Sequence, residues 1–206
     1  MPDLDLKKRY AALYKPGAKV PVVVDVPPLR FLMIDGQGPY GAASTSFTES
    51  VQALYTLSYQ VKFAAKRLDL IYPVMPLEGL YWQIGADMGT APASPEESAW
   101  RLMILLPEEV DGDLVDATRE KAIAKKRLPR LADVRVQTFS EGASVQILHV
   151  GPYADEPATV ERLLAFAAGR GLRPTGPHHE IYLSDPSRTA PEKMKTVLRY
   201  GVTRLA

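Results

Sequence analysis

The 206-residue chain contains no cysteine, which excludes disulfides, thiolate metal centres and cysteine nucleophiles. It has almost no net charge: 25 Lys and Arg against 24 Asp and Glu leave +1. The concentrated basic footprint of a nucleic-acid or membrane-surface binder is therefore missing. No apolar run approaches the roughly 20 residues needed to span a bilayer. The opening Met1-Pro2-Asp3-Leu4-Asp5-Leu6-Lys7-Lys8-Arg9 mixes acids with bases around no apolar core, which predicts no secretory signal. A soluble, cytoplasmic protein is expected. What is present is 46% hydrophobic residues, enough for the core of one large domain or two small, intimately packed halves.

Hydrophobic patterning predicts an α+β chain. Residues 3–14 suit a short amphipathic helix, stopped by Pro16 and Gly17. Val20–Val26 and Phe31–Asp35 read as strands. The Gly36-Gln37-Gly38-Pro39-Tyr40-Gly41 run after them fits neither the dinucleotide fingerprint nor the P-loop, and reads as a turn. Phe47, Val51, Leu54, Tyr55, Ser58, Val61, Ala65 and Leu68 recur at helical spacing, with Thr45, Ser46 or Thr48 as caps. Glu78–Ile84 and Trp100–Leu106 read as strands joined by a long loop. Asp111–Arg127 is a helix whose acidic head and basic tail (Lys125-Lys126-Arg127) complement its dipole. Val134–Ser140 and Ala143–Val150 suggest a hairpin across Glu141-Gly142. A helix opened by Asp155 and Pro157, a strand at His178–Leu183, one helical turn at Thr189–Glu192 and a strand at Thr196–Arg199 complete the chain.

The order strand, Gly-Pro-Tyr, helix, strand, strand occurs twice, with Gly38-Pro39-Tyr40 and Gly151-Pro152-Tyr153 as its visible trace. The expected architecture is a single domain over residues 1–206 with pseudo-repeats at about 20–107 and 132–202. Duplicated strand–helix–strand–strand units would form a curved antiparallel sheet with helices on one face and a central ligand cleft, the 81–82 and 180–182 strands facing each other across it.

Side chains alternate along a strand, so Glu180 and Tyr182 share the face opposite Ile181 and Leu183. Such a face is by itself either a wet sheet surface or a site. Tyr81, Trp82, Trp100, Tyr55 and Tyr153 are the aromatic candidates to wall it, and Glu78 is the candidate second carboxylate. Aromatic faces and an acid suit flat, lipophilic, preferably cationic ligands. No metal or other cofactor is expected, because His178, His179 and Glu180 are sequential on a strand and His179 must point away from its neighbours.

The stretches Ala53–Phe63, Pro76–Trp82, Gln146–Tyr153 and His178–Arg188 resemble the stand-alone GyrI-like small-molecule-binding proteins, from about Leu6 to the C-terminus. That fold is shared with the effector domains of AraC- and MerR-type activators. The resemblance implies a duplicated α+β domain with an aromatic, acidic cleft for lipophilic, often cationic compounds. It also implies a possible hydrolase activity on cyclopropanoid DNA-alkylating natural products, with Glu180 as the pocket glutamate and Tyr81 or Trp82 as its aromatic partner. Two positions depart from the family pattern: Tyr81 replaces an expected tryptophan, and Pro39-Tyr40 stands where Asp-Pro is expected.

Two functions follow as expectations. One is a binding module that sequesters or detoxifies xenobiotics. The other is a ring-opening hydrolase in which Glu180 activates water and Tyr182 donates to the developing oxyanion. A ligand-responsive regulator acting through a protein partner is a third reading. No direct nucleic-acid or membrane partner is expected.

Overall fold

In the computed structural model, which describes residues 4–87, 89, 91–125 and 128–205, two prolines dictate the shape of the sheet. The strands are β1 (Val22–Val26), β2 (Leu29–Gln37), β3 (Leu77–Gln83), β4 (Ser98–Leu105), β5 (Arg135–Phe139), β6 (Gly142–Val150), β7 (Leu172–Pro174), β8 (His178–Tyr182) and β9 (Lys195–Arg204). All pairings are antiparallel along the path β1-β6-β9-β8-β3-β4-β2-β5, with β7 alongside the end of β9. Pro27-Pro28 alone joins β1 to β2, so Val26 and Leu29 lie within three Cα steps, about 11 Å. Yet five strands separate β1 from β2 in the path, about 29 Å if the sheet were flat. The sheet therefore curls until its two ends approach each other.

The same exchange removes the expected hairpin. β5 pairs with β2, Leu29 opposite Phe139, while β6 pairs with β1, Val26 opposite Gly142. Glu141-Gly142 is thus a crossing between sheet ends. The local turn chemistry suggested a hairpin, but each half lends its first strand to the other.

The halves are mirrored. β2, β4 and β3 lie in that order on one side and β6, β9 and β8 on the other, joined by β3 and β8 with Gly79 opposite Glu180. The duplicated unit is present, but its two key strands are hydrogen-bonded neighbours at the sheet centre and do not face each other across a groove.

The helices are α1 (Leu6–Arg9), α2 (Ala11–Tyr14), α3 (Thr45–Lys66), α4 (Gly112–Lys125) and α5 (Glu156–Ala168). The single expected N-terminal helix is split into two short turns. Ser44, one residue before the expected caps, accepts the Phe47 amide and starts α3. Phe47, Leu54, Leu57, Val61 and Ala65 are its buried stripe. Leu68 does not continue it and is 69% exposed, because the helix ends at Lys66 and Asp69 takes a φ of 62°. In α4, Lys126 and Arg127 of the expected basic tail lie outside the described residues, as do Met1-Pro2-Asp3.

Phe47 of α3 meets Trp100 edge-on at 5.2 Å. Leu163 and Ala167 of α5 pack with Val145, Ile147 and Leu198. By the strand registers Trp100, Ile147 and Leu198 all lie on the Glu180 face. α3 and α5 therefore cover one face, with the β3–β8 seam between them. Among the described residues no helix is long and apolar enough to cross a membrane.

Candidate functional site

The seam between β3 and β8 gathers the titratable groups. Residues directly opposite in an antiparallel pair share a face, so the Tyr81–His178 and Gly79–Glu180 pairs put Tyr81, His178, Glu180 and Tyr182 together. The Tyr81 and Tyr182 hydroxyls hydrogen-bond at 2.5 Å. Gly79 makes this contact sterically feasible: a Cβ there would sit 2.6 Å from the Tyr81 hydroxyl. Gly36 serves Trp100 in the same way, since a Cβ would lie 2.1 Å from its ring. The glycine of the β2 end thus answers to packing, not to phosphate.

The repeated Gly-Pro-Tyr triplets complete the site. Tyr40 lies over Tyr81 with centroids 4.8 Å apart, and Tyr153 meets Tyr182 edge-on at 6.0 Å. Tyr40 and Tyr153 are 40% and 41% exposed while Tyr81 is buried, so equivalent residues of the two halves form the outer layer over an inner tyrosine pair.

His178 bridges the remaining groups. Its Nε2 lies 2.9 Å from Glu180 Oε1 and its Nδ1 2.8 Å from the Tyr200 hydroxyl. Glu156, from the first turn of α5, supplies the second carboxyl, which is buried and whose Oε1 has no hydrogen-bond partner among the described residues. Burial, and then the Glu180 charge, push the Glu156 carboxyl up to about 8, with a hydrogen bond from Thr196 offsetting part of the rise. Burial and the Glu180 charge push Tyr153 and Tyr200 up to about 12. The same causes hold Tyr81 and Tyr182 well above the usual phenol range. The phenols are therefore neutral hydrogen-bond donors around an acidic centre.

Other expected site residues lie elsewhere. Trp82 follows Tyr81 on the same strand, so alternation sends it to the opposite face with Glu78 and Leu80. Tyr81 and Trp82 cannot both wall Glu180, and Glu78 does not reach it. Trp100 is on the Glu180 face but wholly buried beneath Phe47. Tyr55 stacks on Tyr59 at 6.4 Å, outside the carboxyl cluster. A hollow of about 290 Å³ beside Leu68, Leu70 and Leu114 is remote from these groups.

Glu78 belongs instead to a buried network on the other face. Tyr14 donates to Glu78 Oε1, and His179 joins Glu78 to Glu141 at 3.0 Å on each side. Arg199 donates to Glu141, to Gln146 Oε1 and to the Leu13 carbonyl, and Gln146 donates to the Ala12 carbonyl. Burial lowers the His179 pKa, but the Glu141 charge and the ring's hydrogen bonds to both carboxylates outweigh it and lift it to about 9. The network fastens α2 to the sheet.

Sequence reasoning passed over Tyr40, Tyr200 and Glu156. The Gly-Pro-Tyr repeat carried the signal for Tyr40. Glu156 had none, because an acid at a helix start reads as a complement to the dipole.

Comparison with known proteins places this geometry. The model of the GyrI-like small molecule binding domain matches residues 109–200. An uncharacterized conserved protein from Listeria innocua is 36% identical, covering 98% of this chain and 100% of its own, with a TM-score of 0.87. A hydrolase from Listeria innocua is 34% identical over 98% and 100% of the two chains, with a TM-score of 0.84. The C-terminal domain of EcmrR shares the fold at 10% identity, 90% and 98% coverage and a TM-score of 0.55. A search of curated proteins finds no match. With its duplicated sheet, its central acidic tyrosine cluster and relatives of more than one-third identity over its length, the chain belongs to the GyrI-like small-molecule-binding family.

Proposed function

We propose that residues 1–206 act as one GyrI-like domain, in the cytoplasm, that binds flat, lipophilic, often cationic small molecules at the Glu180–Tyr81–Tyr182 seam for sequestration or detoxification. The observation that carries this reading is the acidic centre ringed by tyrosines. Glu156 and Glu180 lie under Tyr40 and Tyr153, and among the described residues no Lys or Arg pairs with either carboxyl. A planar cation supplies the missing charge and stacking area, provided Tyr40 and Tyr153 swing aside to admit it. Titration with rhodamine 6G, followed by fluorescence polarisation, tests the reading. Glu180→Gln weakens binding by about tenfold or more, equivalent to about 1.4 kcal/mol. Unchanged affinity in that variant refutes it.

A second reading, hydrolysis of bound cyclopropanoid alkylators, is favoured by the carboxyl pair and by the hydrolase from Listeria innocua. Glu180 takes a proton from water as its oxygen bonds to the cyclopropane carbon. The breaking C–C bond delivers its electron pair through the conjugated ring to the carbonyl oxygen, which takes a proton from Tyr182. Proton return from Glu180 to Tyr182 restores both groups. Mass spectrometry then finds the substrate heavier by one water with wild type and intact with Glu180→Gln; intact substrate in both, despite binding, excludes this activity for that class.

A further inference from the structure

A buried carboxyl oxygen without a partner is costly, and proteins retain such a group where something else satisfies it. Among the described residues, Glu156 Oε1 is such an atom. One ligating atom from each of Glu156, His178 and Glu180 lies within 4.8 Å of the other two. The three come from two elements. His178 and Glu180 are on one face of β8, two residues apart, and Glu156 descends from the first turn of α5.

From this geometry we propose that Glu156, His178 and Glu180 bind a divalent first-row transition ion, of the Zn2+ or Mn2+ class. Two carboxylates and one imidazole suit such ions better than Mg2+ or Ca2+, which prefer oxygen alone. The ion's charge balances both carboxylates where among the described residues no Lys or Arg pairs with either of them. His178 already has the support that a metal-bound imidazole needs. Tyr200 engages Nδ1 at 2.8 Å and fixes the ring, leaving Nε2 beside Glu180 Oε1 at 2.9 Å. On binding, that hydrogen bond is exchanged for shared coordination of one ion. The expectation of no metal rested on His179 pointing away from His178; it does, toward Glu78 and Glu141, and the third ligand comes from α5.

The inference shares Glu180 with the organic-ligand reading and goes beyond it; ion affinity and rhodamine 6G affinity are measured separately, so the failure of one is distinguishable from the failure of the other. Protein freed of metal by chelator is titrated with ZnCl2 and with MnCl2 by calorimetry, with folding of each variant verified by circular dichroism. One ion per chain is expected. Glu156→Gln and His178→Ala each weaken it by more than about tenfold, and Tyr200→Phe by about tenfold through the lost support. In wild type, NMR shows Mn2+ broadening the His178 ring signals. Absence of saturable binding overturns the proposal, as does unchanged affinity in Glu156→Gln or broadening that spares His178.

Discussion

Arg199→Met is the sharpest test of how α2 is held to the sheet. Arg199 is buried and donates to Glu141 Oε2 at 3.2 Å, Gln146 Oε1 at 2.9 Å and the Leu13 carbonyl at 2.9 Å. With His179 protonated, its charge and that of Arg199 balance Glu78 and Glu141. Methionine fills similar volume but strands one buried negative charge and two acceptors. Removing one partner of a buried ion pair costs about 3–5 kcal/mol, so the loss should be about 4 kcal/mol. With a urea slope of about 2.5 kcal/mol per molar, the unfolding midpoint falls by about 1.6 M. Hydrogen exchange at residues 12–14 should rise with it, since Arg199 and Gln146 hold that backbone. Adding Glu141→Gln removes the stranded charge, so the double variant should be more stable than the sum of the two single losses predicts. The partly exposed Arg101 pair with Asp35 is the control, worth about 1 kcal/mol or less. A loss below about 1 kcal/mol for Arg199→Met, or strict additivity with Glu141→Gln, would mean that Arg199 does not offset the buried Glu141 charge.

Gly79→Ala places a Cβ against the Tyr81 hydroxyl and should cost about 1–3 kcal/mol by denaturation; it should also weaken rhodamine 6G, and an unaffected affinity would mean that the inner tyrosine pair is not part of the site. Trp82→Ala should leave that affinity within about twofold while Tyr81→Ala lowers it, because the two side chains occupy opposite faces of β3. Burial raises the Glu141 pKa, but the charges and hydrogen bonds of His179 and Arg199 outweigh it and hold the carboxyl below its ordinary 4.5. Its stabilisation is therefore present above that value and is lost as pH falls through the lower folded one; urea midpoints between about pH 5 and about pH 3 should drop more steeply for wild type than for Glu141→Gln.

Much of this was legible in the chain because it is local. Apolar spacing marked α3, and period-two alternation put Glu180 and Tyr182 on one face. The repeated Gly-Pro-Tyr pointed to two equivalent halves. What failed was whatever depends on partners distant in sequence. Glu141-Gly142 has hairpin chemistry, yet β5 and β6 find other partners because Pro27-Pro28 and Glu141-Gly142 both serve as crossings. Trp82 looked like a pocket residue until the register assigned its face. Glu156 became a site residue only when α5 docked on β6 and β7 and brought it beside Thr196.

The most direct test of the ligand site is a crystal structure of the protein with rhodamine 6G bound. Density is expected at the β3–β8 seam, against Tyr81 and Tyr182 and beside Glu180, with Tyr40 and Tyr153 displaced outward. Density in the hollow beside Leu68 and Leu114, with the tyrosine cluster undisturbed, would contradict it.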